Sequence, residues 1–138
     1  MQALPIFFNI AQRLCIVIGG GDVATRKVLM LRKAQGQVTV ISPELCDELH
    51  VLFEQGEIQY VQDQFQPGQL TSACLVIAAT DDEAVNEAVS VAAKRLNIPV
   101  NVVDAPALCT FTMGSIIDRS PVVIAVSSEG NAPVLARH

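Results

Sequence analysis

Five short runs rich in apolar residues recur along the chain, and stretches with helical spacing lie between them. The runs predict strands over 14–18, 37–42, 58–61, 73–79 and 98–103. Unbroken apolar runs are typical of strands buried on both faces, as in a parallel sheet covered by helices. The alternation of strand and helix therefore predicts an α/β protein with a doubly wound parallel sheet and helices on both faces.

Helices are predicted over about 22–34, 43–55 and 80–96. Pro43 suits the first turn of the second helix, because proline lacks the amide hydrogen that a first turn leaves unbonded. The first helix is expected to turn one apolar face toward the sheet, formed by Val23, Ala24, Val28, Leu31 and Ala34.

The two ends of the chain depart from this pattern. Residues 1–13 predict a lead-in segment anchored by Leu4, Ile6, Phe7 and Phe8. After Pro106, extended segments are predicted over 110–113 and 121–126, as a hairpin on the sheet edge or as the start of a second unit.

Three consecutive glycines follow the first strand directly. The sequence Gly19-x-Gly21-x-x-Ala24 matches the Gly/Ala form of the dinucleotide-binding fingerprint of a Rossmann-like fold, with a strand before it and a helix after it. Gly19 permits the turn, Gly21 lets the backbone approach a pyrophosphate, and Ala24 lets the helix pack closely. The alternative is a strand–helix turn that needs glycine only for its positive φ.

Ligands of this fold bind at the carboxyl ends of the strands. Those ends are predicted at 19–22, 42–44, 79–82 and 103–104, and we expect the four segments to converge. The candidate cofactor-binding residues on them are Gly19, Gly20, Gly21, Asp22, Val23, Ser42, Pro43, Glu44, Thr80 and Asp81.

The end of the second strand bears on the choice between NAD and NADP. An acidic side chain there commonly holds the ribose hydroxyls, whereas Ser42 stands at this position, followed by Pro43 and Glu44. No arginine or lysine lies nearby to pair with a 2′-phosphate, which favours NAD. Glu44 is equally explained as a carboxylate at a helix start.

Composition narrows the function classes further. The net charge of −5 and the absence of a long basic stretch argue against nucleic acid. No apolar run approaches the roughly 20 residues that cross a bilayer, and no secretory signal is recognisable, so we expect a cytoplasmic protein. The four cysteines have no metal-site spacing and the two histidines assemble no catalytic centre, so no metal site is predicted.

Six segments that occur in this order along the chain carry a family resemblance: LPIF (4–7), VIGGGDVATRK (17–27), AATDDEAVN (78–86), NVVDAP (101–106), SIIDRSP (115–121) and PVLAR (133–137). With them the chain resembles the precorrin-2 dehydrogenase/sirohydrochlorin ferrochelatase module of sirohaem synthase, in register over nearly its whole length. Gly114 and Glu129 are departures, standing where proline and glycine are usual.

The resemblance implies oxidation of precorrin-2 to sirohydrochlorin with NAD, followed by insertion of Fe²⁺, as a substrate, to give sirohaem. It implies contacts of residues 22–23 and 43–44 with NAD, and Asp104 as the general base or acid. It further implies a homodimer. The expected domains are an NAD-binding Rossmann domain over 1–113 and the start of a dimerisation or substrate region, incomplete here, over 114–138.

A substrate with many carboxylates needs local cations in so acidic a chain. Arg119 and Arg137 are the candidates, with Ser127 and Ser128 as hydrogen-bond donors. Arg119 is equally explained by pairing with Asp118 or capping a turn, and Asp104 by a turn before Pro106. The alternatives for the whole chain are a regulatory NAD-binding module without chemistry and a truncated, inactive remnant.

Overall fold

The computed structural model of the chain describes residues 1–128. Its contacts separate into two compact units, one formed by residues 8–110 and the other by residues 1–7 together with the described residues from 111 onward. Each unit is considered by itself below.

The larger unit contains a five-stranded sheet in the order β3-β2-β1-β4-β5, in which every pairing is parallel. This confirms the predicted α/β Rossmann-like fold, because the chain starts at the centre and builds the sheet outward in both directions. The strands are β1 (Leu14–Ile18), β2 (Gln37–Ser42), β3 (Gln59–Gln62), β4 (Leu75–Ala78) and β5 (Val100–Val102).

Three α-helices and one 3₁₀ turn connect these strands, and a second 3₁₀ turn follows β5. The first 3₁₀ turn has Gln66 as its N-cap residue. The helices are α1 (Asp22–Lys33), α2 (Asp47–Glu54) and α3 (Glu83–Arg95), and the 3₁₀ turns are Pro67–Leu70 and Pro106–Leu108.

The predicted start of α2 at Pro43 is wrong. The helix begins at Asp47, with Cys46 as its N-cap residue. The Cys46 amide donates to the Gly20 carbonyl at 2.7 Å, which holds residues 43–45 as a loop beside the glycines. Proline fits such a loop as well as a first helical turn, so the residue type alone does not separate the two.

The core lies around the central strands. Every residue of β4 is buried, so both faces of the sheet are covered there. Cys15 and Cys74 meet in this core with their sulfur atoms 3.7 Å apart. Burial, together with the nearby Cys74, raises the pKa of the Cys15 thiol to about 12.

One prediction about packing is wrong and another is correct only in part. Leu4, Ile6, Phe7 and Phe8 are exposed, and the buried residue of the lead-in is Ile10. On α1 the buried face consists of Ala24, Thr25, Val28 and Leu31, without Val23 or Ala34. Thr25 is tolerated there because its hydroxyl donates to the Gly21 carbonyl at 2.9 Å.

In the smaller unit, β6 (Ser115–Arg119) and β7 (Val122–Val126) form an antiparallel hairpin that is a separate two-stranded sheet. The predicted first extended segment, 110–113, is therefore wrong, because the first strand of the hairpin begins at Ser115. Thr110 belongs to the larger unit, where its amide donates to the Val100 carbonyl at 2.8 Å. Gly114 is required by packing, because a Cβ there would overlap the Val126 carbonyl oxygen.

Candidate functional site

A cleft of about 1010 Å³ opens at the carboxyl edge of the sheet. Its size is at the upper end of the range typical of small-molecule sites, about 300–1,000 Å³. Three of the four predicted strand-end segments line it, and so does the segment after β3, which the sequence analysis did not include. The lining segments are 18–23, 41–46, 63–65 and 79–82, with Ala84, Val85 and Ala88 of α3.

Gly19 has the backbone conformation that a tight turn requires. Its φ is +133°, and a Cβ there would overlap the carbonyl oxygen of Ala79. Its amide donates to the Ile41 carbonyl at 3.0 Å. Glycine is therefore needed at this position by the fold itself.

Gly20 is explained by a different contact. A Cβ on Gly20 would overlap the Glu44 carbonyl oxygen and lie 2.8 Å from Ser42 Oγ. The β2–α2 loop thus packs directly on the glycine turn. This contact between distant segments is not visible in a local sequence motif.

Gly21 has no such explanation within the chain. Its backbone is extended, with φ −100° and ψ −160°, a conformation open to any residue. A Cβ there would meet no atom within 4 Å. Gly21 is also the N-cap of α1 and offers no side-chain acceptor to the amides of the first turn. The position therefore combines open space in the cleft with amides that suit an anion.

The loop after β2 is fixed from beneath. Ser42 is buried, and its carbonyl accepts bonds from the Tyr60 hydroxyl at 2.9 Å and from the Asp63 amide at 3.3 Å. Burial and the nearby Glu44 raise the pKa of the Tyr60 phenol, which keeps it a donor. Pro43 and Glu44 are exposed where they line the cleft.

The loop after β4 is held by Asn86 of α3, which is buried. Its Oδ1 accepts from the Thr80 hydroxyl at 2.6 Å, and its Nδ2 donates to the Thr80 carbonyl at 3.0 Å. The Asp82 carboxylate caps α3 by accepting from the amides of Ala84 and Val85. Thr80 thus lines the cleft with its hydroxyl already bonded, while Asp81 is exposed there.

The charged residues among the described lining of the cleft are all acidic. No lysine or arginine is among the described residues that line the cleft. A bound anion is therefore stabilised there only by backbone amides and by the positive end of the α1 dipole. The five carboxylates belong to Asp22, Glu44, Asp63, Asp81 and Asp82.

Asp104 lies in the turn after β5, on the same edge of the sheet but outside the residues that line the cleft. It is exposed and has φ +60°, a left-handed conformation that aspartate adopts more readily than most residues. β5 is two strands from β1, roughly 10 Å across the sheet. The turn explanation of Asp104 therefore fits its backbone, and its role as a base stays a prediction.

The remaining candidates lie in the smaller unit or beyond the described residues. The Arg119 guanidinium donates to the Asp118 carbonyl at 3.1 Å, in keeping with the turn-capping alternative. Ser127 and Ser128 follow β7. Arg137 and Glu129 lie outside the described residues. Within residues 1–128 no group of three His, Cys, Asp or Glu side chains could hold a metal ion.

Each helix within residues 1–128 is too short or too polar to span a membrane.

Comparison with known proteins agrees with this geometry. A family model described as putative NAD(P)-binding matches residues 6–115. The chain is 57% identical to a siroheme synthase of Methylobacillus flagellatus over 137 residues, covering 99% of this chain and 29% of that protein. It is 58% identical to a siroheme synthase of Nitrosospira multiformis, covering 99% of this chain and 30% of that protein. The chain thus spans about three tenths of the length of these relatives.

Solved structures show the same fold. The structure titled "SirC, precorrin-2 dehydrogenase" matches with a TM-score of 0.79 at 22% identity, over 97% of this chain and 66% of that one. The D-lactate dehydrogenase of Escherichia coli matches with a TM-score of 0.53 at 16% identity, over 74% of this chain and 31% of that one. At these identities the likeness is one of fold.

Proposed function

This chain belongs to the family of putative NAD(P)-binding domains, and from that premise we propose that it oxidises precorrin-2 to sirohydrochlorin with NAD⁺. The choice of substrate is supported by the family resemblance of the sequence, by the relatives named siroheme synthase and by the fold shared with SirC. In the relatives, the region that matches this chain is part of a longer protein, and the activity is proposed for such a whole protein.

The observation that carries the proposal is the open position at Gly21. The fold itself requires glycine at positions 19 and 20, but it leaves Gly21 unconstrained beside the first turn of α1. A dinucleotide diphosphate would occupy that space and accept bonds from the amides of Asp22 and Val23. The residues present therefore fit NAD, and they give glycine a reason at position 21.

The charges of the cleft support NAD over NADP. A 2′-phosphate would bring additional negative charge into a lining whose described charged residues are all carboxylates. A ribose 2′-hydroxyl can instead donate a hydrogen bond to a carboxylate such as that of Glu44.

In the proposed reaction precorrin-2 loses one hydride and one proton, giving sirohydrochlorin, NADH and H⁺. When bound, NAD⁺ supplies the hydride acceptor. The carboxylate of Asp104, at the carboxyl edge of the sheet, would take the proton from the ring carbon and release it to water. The exposure of Asp104 suits that release, and a tetrapyrrole bound over it would exclude water during the transfer.

Insertion of Fe²⁺ is the second proposed step, in which sirohydrochlorin exchanges two N–H protons for the metal. The four ring nitrogens of the substrate would be the ligands of the iron. In the described part of the chain no side-chain cluster competes for it. Asp104 would accept a pyrrole proton, which is the same task that it performs in the oxidation.

The smaller unit is proposed to take part in substrate capture and in pairing of two copies. Arg119 would meet a carboxylate of the tetrapyrrole, with Ser127 and Ser128 as donors and with Arg137, beyond the described residues, as a second cation. The exposed apolar residues of the hairpin, among them Ile116, Val122 and Ile124, support pairing, because a two-stranded sheet alone is only marginally stable.

Two measurements on the chain test the proposal. Isothermal titration with NAD⁺ should show binding, and addition of precorrin-2 should then yield NADH, detected by its fluorescence. Binding without NADH formation, in this chain and in a version extended to the length of its relatives, would favour a regulatory module. Absence of NAD⁺ binding in both would contradict the proposal altogether.

Asp104→Asn separates the two explanations of Asp104. Asparagine adopts the same left-handed turn, so the fold is retained while the base is lost. We expect NADH formation to fall by about 100-fold or more with NAD⁺ affinity unchanged. Unchanged turnover would assign Asp104 to the turn alone.

A further inference from the structure

The end of β3 brings to the cleft a carboxylate that the dinucleotide fingerprint does not include. Asp63 follows β3 directly and lines the cleft together with Gln64 and Phe65. Its amide donates to the Ser42 carbonyl at 3.3 Å, and its Oδ2 accepts from Gln69 Nε2 at 3.1 Å. Both the backbone and the side chain of Asp63 are therefore restrained.

Gln69 is itself held in place by the 3₁₀ turn Pro67–Leu70. Its Oε1 accepts from the Gln66 amide at 2.8 Å, as part of a capping box. Its Nε2 also lies 3.4 Å from the Gln64 carbonyl. The Asp63 carboxylate is thus oriented by a short structured turn rather than left free in a loop.

Glu44 stands on the neighbouring strand end. β2 and β3 pair in parallel with Ser42 opposite Gln62, and Gln62 Nε2 donates to the Pro43 carbonyl at 3.3 Å. These bonds fix the segment that carries Glu44 to the segment that carries Asp63. The segments that carry the two carboxylates consequently lie side by side at the end of β2, where this fold places the adenosine ribose.

We propose that Asp63, acting with Glu44, makes this site select a dinucleotide with a free ribose 2′-hydroxyl and reject one with a 2′-phosphate. The inference rests on the proposed function for the presence of a dinucleotide and adds which residue discriminates. A 2′-phosphate carries about −1.5 to −2 charges at neutral pH, so a fixed carboxylate beside it repels it. The same carboxylate is a hydrogen-bond acceptor for a hydroxyl.

The test compares ligands that differ only in the 2′-phosphate: NAD⁺ against NADP⁺, and AMP against adenosine 2′,5′-bisphosphate. The variant is Asp63→Asn, which has the same shape and keeps an oxygen for Gln69. The matched control is Asp47→Asn, which makes the same change in charge at an exposed residue of α2 outside the cleft lining. Binding of each ligand is measured by titration calorimetry at low and at high salt.

We expect the wild-type chain to bind NAD⁺ at least about 30-fold more tightly than NADP⁺. Asp63→Asn should reduce that ratio by about three- to tenfold, through tighter NADP⁺ binding together with a smaller loss of NAD⁺ affinity as the charged acceptor for the ribose hydroxyl is removed. The control should leave the ratio unchanged. High salt should lower the ratio of NAD⁺ to NADP⁺ affinity in the wild-type chain, because salt screens the repulsion between the carboxylates and the 2′-phosphate.

The outcomes that overturn the inference are distinct from failure of the proposed function. Equal wild-type affinity for NAD⁺ and NADP⁺, or equal effects of Asp63→Asn and Asp47→Asn, would remove Asp63 as the discriminating residue while leaving NAD⁺ binding in place. Loss of all dinucleotide binding in the wild-type chain would contradict the proposed function itself.

Discussion

Strands β4 and β7 have almost the same apolar character but opposite environments. β4 reads LVIA and is buried at every residue, whereas β7 reads VVIAV and is exposed at its first four residues. Both would be predicted from sequence as buried strands. The difference shows that an apolar run predicts burial of the strand but does not predict which element packs against it. For β4 the cover is the chain's own helices and strands, and for β7 we propose a second copy.

The largest expected effect comes from placing the same charge in both strands. Val76→Asp in β4 would bury an unpaired carboxylate and should lower the free energy of unfolding by about 4 kcal/mol or more. Val123→Asp in β7 adds a charge to a residue that is exposed in the single chain, so it should change the free energy of unfolding of the unpaired chain by less than about 1 kcal/mol. It should also weaken the proposed pairing of two copies. Urea denaturation followed by circular dichroism measures both changes in stability. Equal losses would contradict the comparison.

The glycines offer a sharper contrast inside the larger unit. Gly20→Ala should destabilise the chain by about 1–3 kcal/mol, because the new Cβ would overlap the Glu44 carbonyl. Gly21→Ala meets no atom and should leave stability within about 0.5 kcal/mol.

Gly21→Ala should instead impair binding of NAD⁺. Gly21→Ala should weaken NAD⁺ binding by at least about tenfold, since its Cβ would occupy the space assigned to the diphosphate. A Gly21→Ala variant that binds NAD⁺ as the wild type does would remove the observation on which the proposed function depends.

A smaller effect is expected from the pH dependence of the larger unit. Burial raises the pKa of the Cys15 thiol from its ordinary value of 9.0 to about 12 in the folded chain. A raised pKa stabilises the fold fully below pH 9, and this contribution is lost as the pH rises toward 12. By pH 10.5 the loss should be about 2 kcal/mol. Cys15→Ala should flatten this part of the stability profile, and an equally steep profile in the variant would assign the loss to other groups.

The smallest effect concerns the smaller unit. Arg119→Glu should raise the KM for precorrin-2 by about three- to tenfold through local repulsion, with the Kd for NAD⁺ unchanged. Asp118→Asn serves as a control that alters charge on the same strand without adding repulsion. Steady-state kinetics that show an unchanged KM would leave Arg119 with its turn contact to the Asp118 carbonyl alone.

The sequence supports prediction of the larger unit best where the chain's own periodicity decides the structure. The strands Leu14–Ile18 and Gln37–Ser42 were predicted at their observed bounds, because each run is rich in apolar residues and ends directly before Gly19 or Pro43. The start of α2 was wrongly predicted at Pro43, because the packing of the Glu44 carbonyl on Gly20 holds these residues in a loop. The segment 110–113 was misplaced because Thr110 bonds to a strand ten residues earlier in the chain.

The sequence also predicted most of the segments that line the cleft, because the cleft lies at the carboxyl ends of the strands. The strand-end rule found Gly19, Ser42 and Thr80, and it would have found Asp63 if it had also been applied to the third strand. The role of Gly20 was not predictable, since it depends on a contact with residues of the following loop. Asp104 lies outside the cleft lining, so its role rests on the resemblance. Arg137 lies outside the described residues, so its role rests on the charge of the proposed substrate.

The most direct test of the central claim is an amide chemical-shift titration of the chain with NAD⁺. The account predicts that the largest shifts fall on residues 19–23, with further shifts at 42–46, 63–65 and 79–81. Shifts confined to other parts of the sheet, or none at saturating NAD⁺, would contradict the claim that the open glycine at position 21 receives the dinucleotide diphosphate.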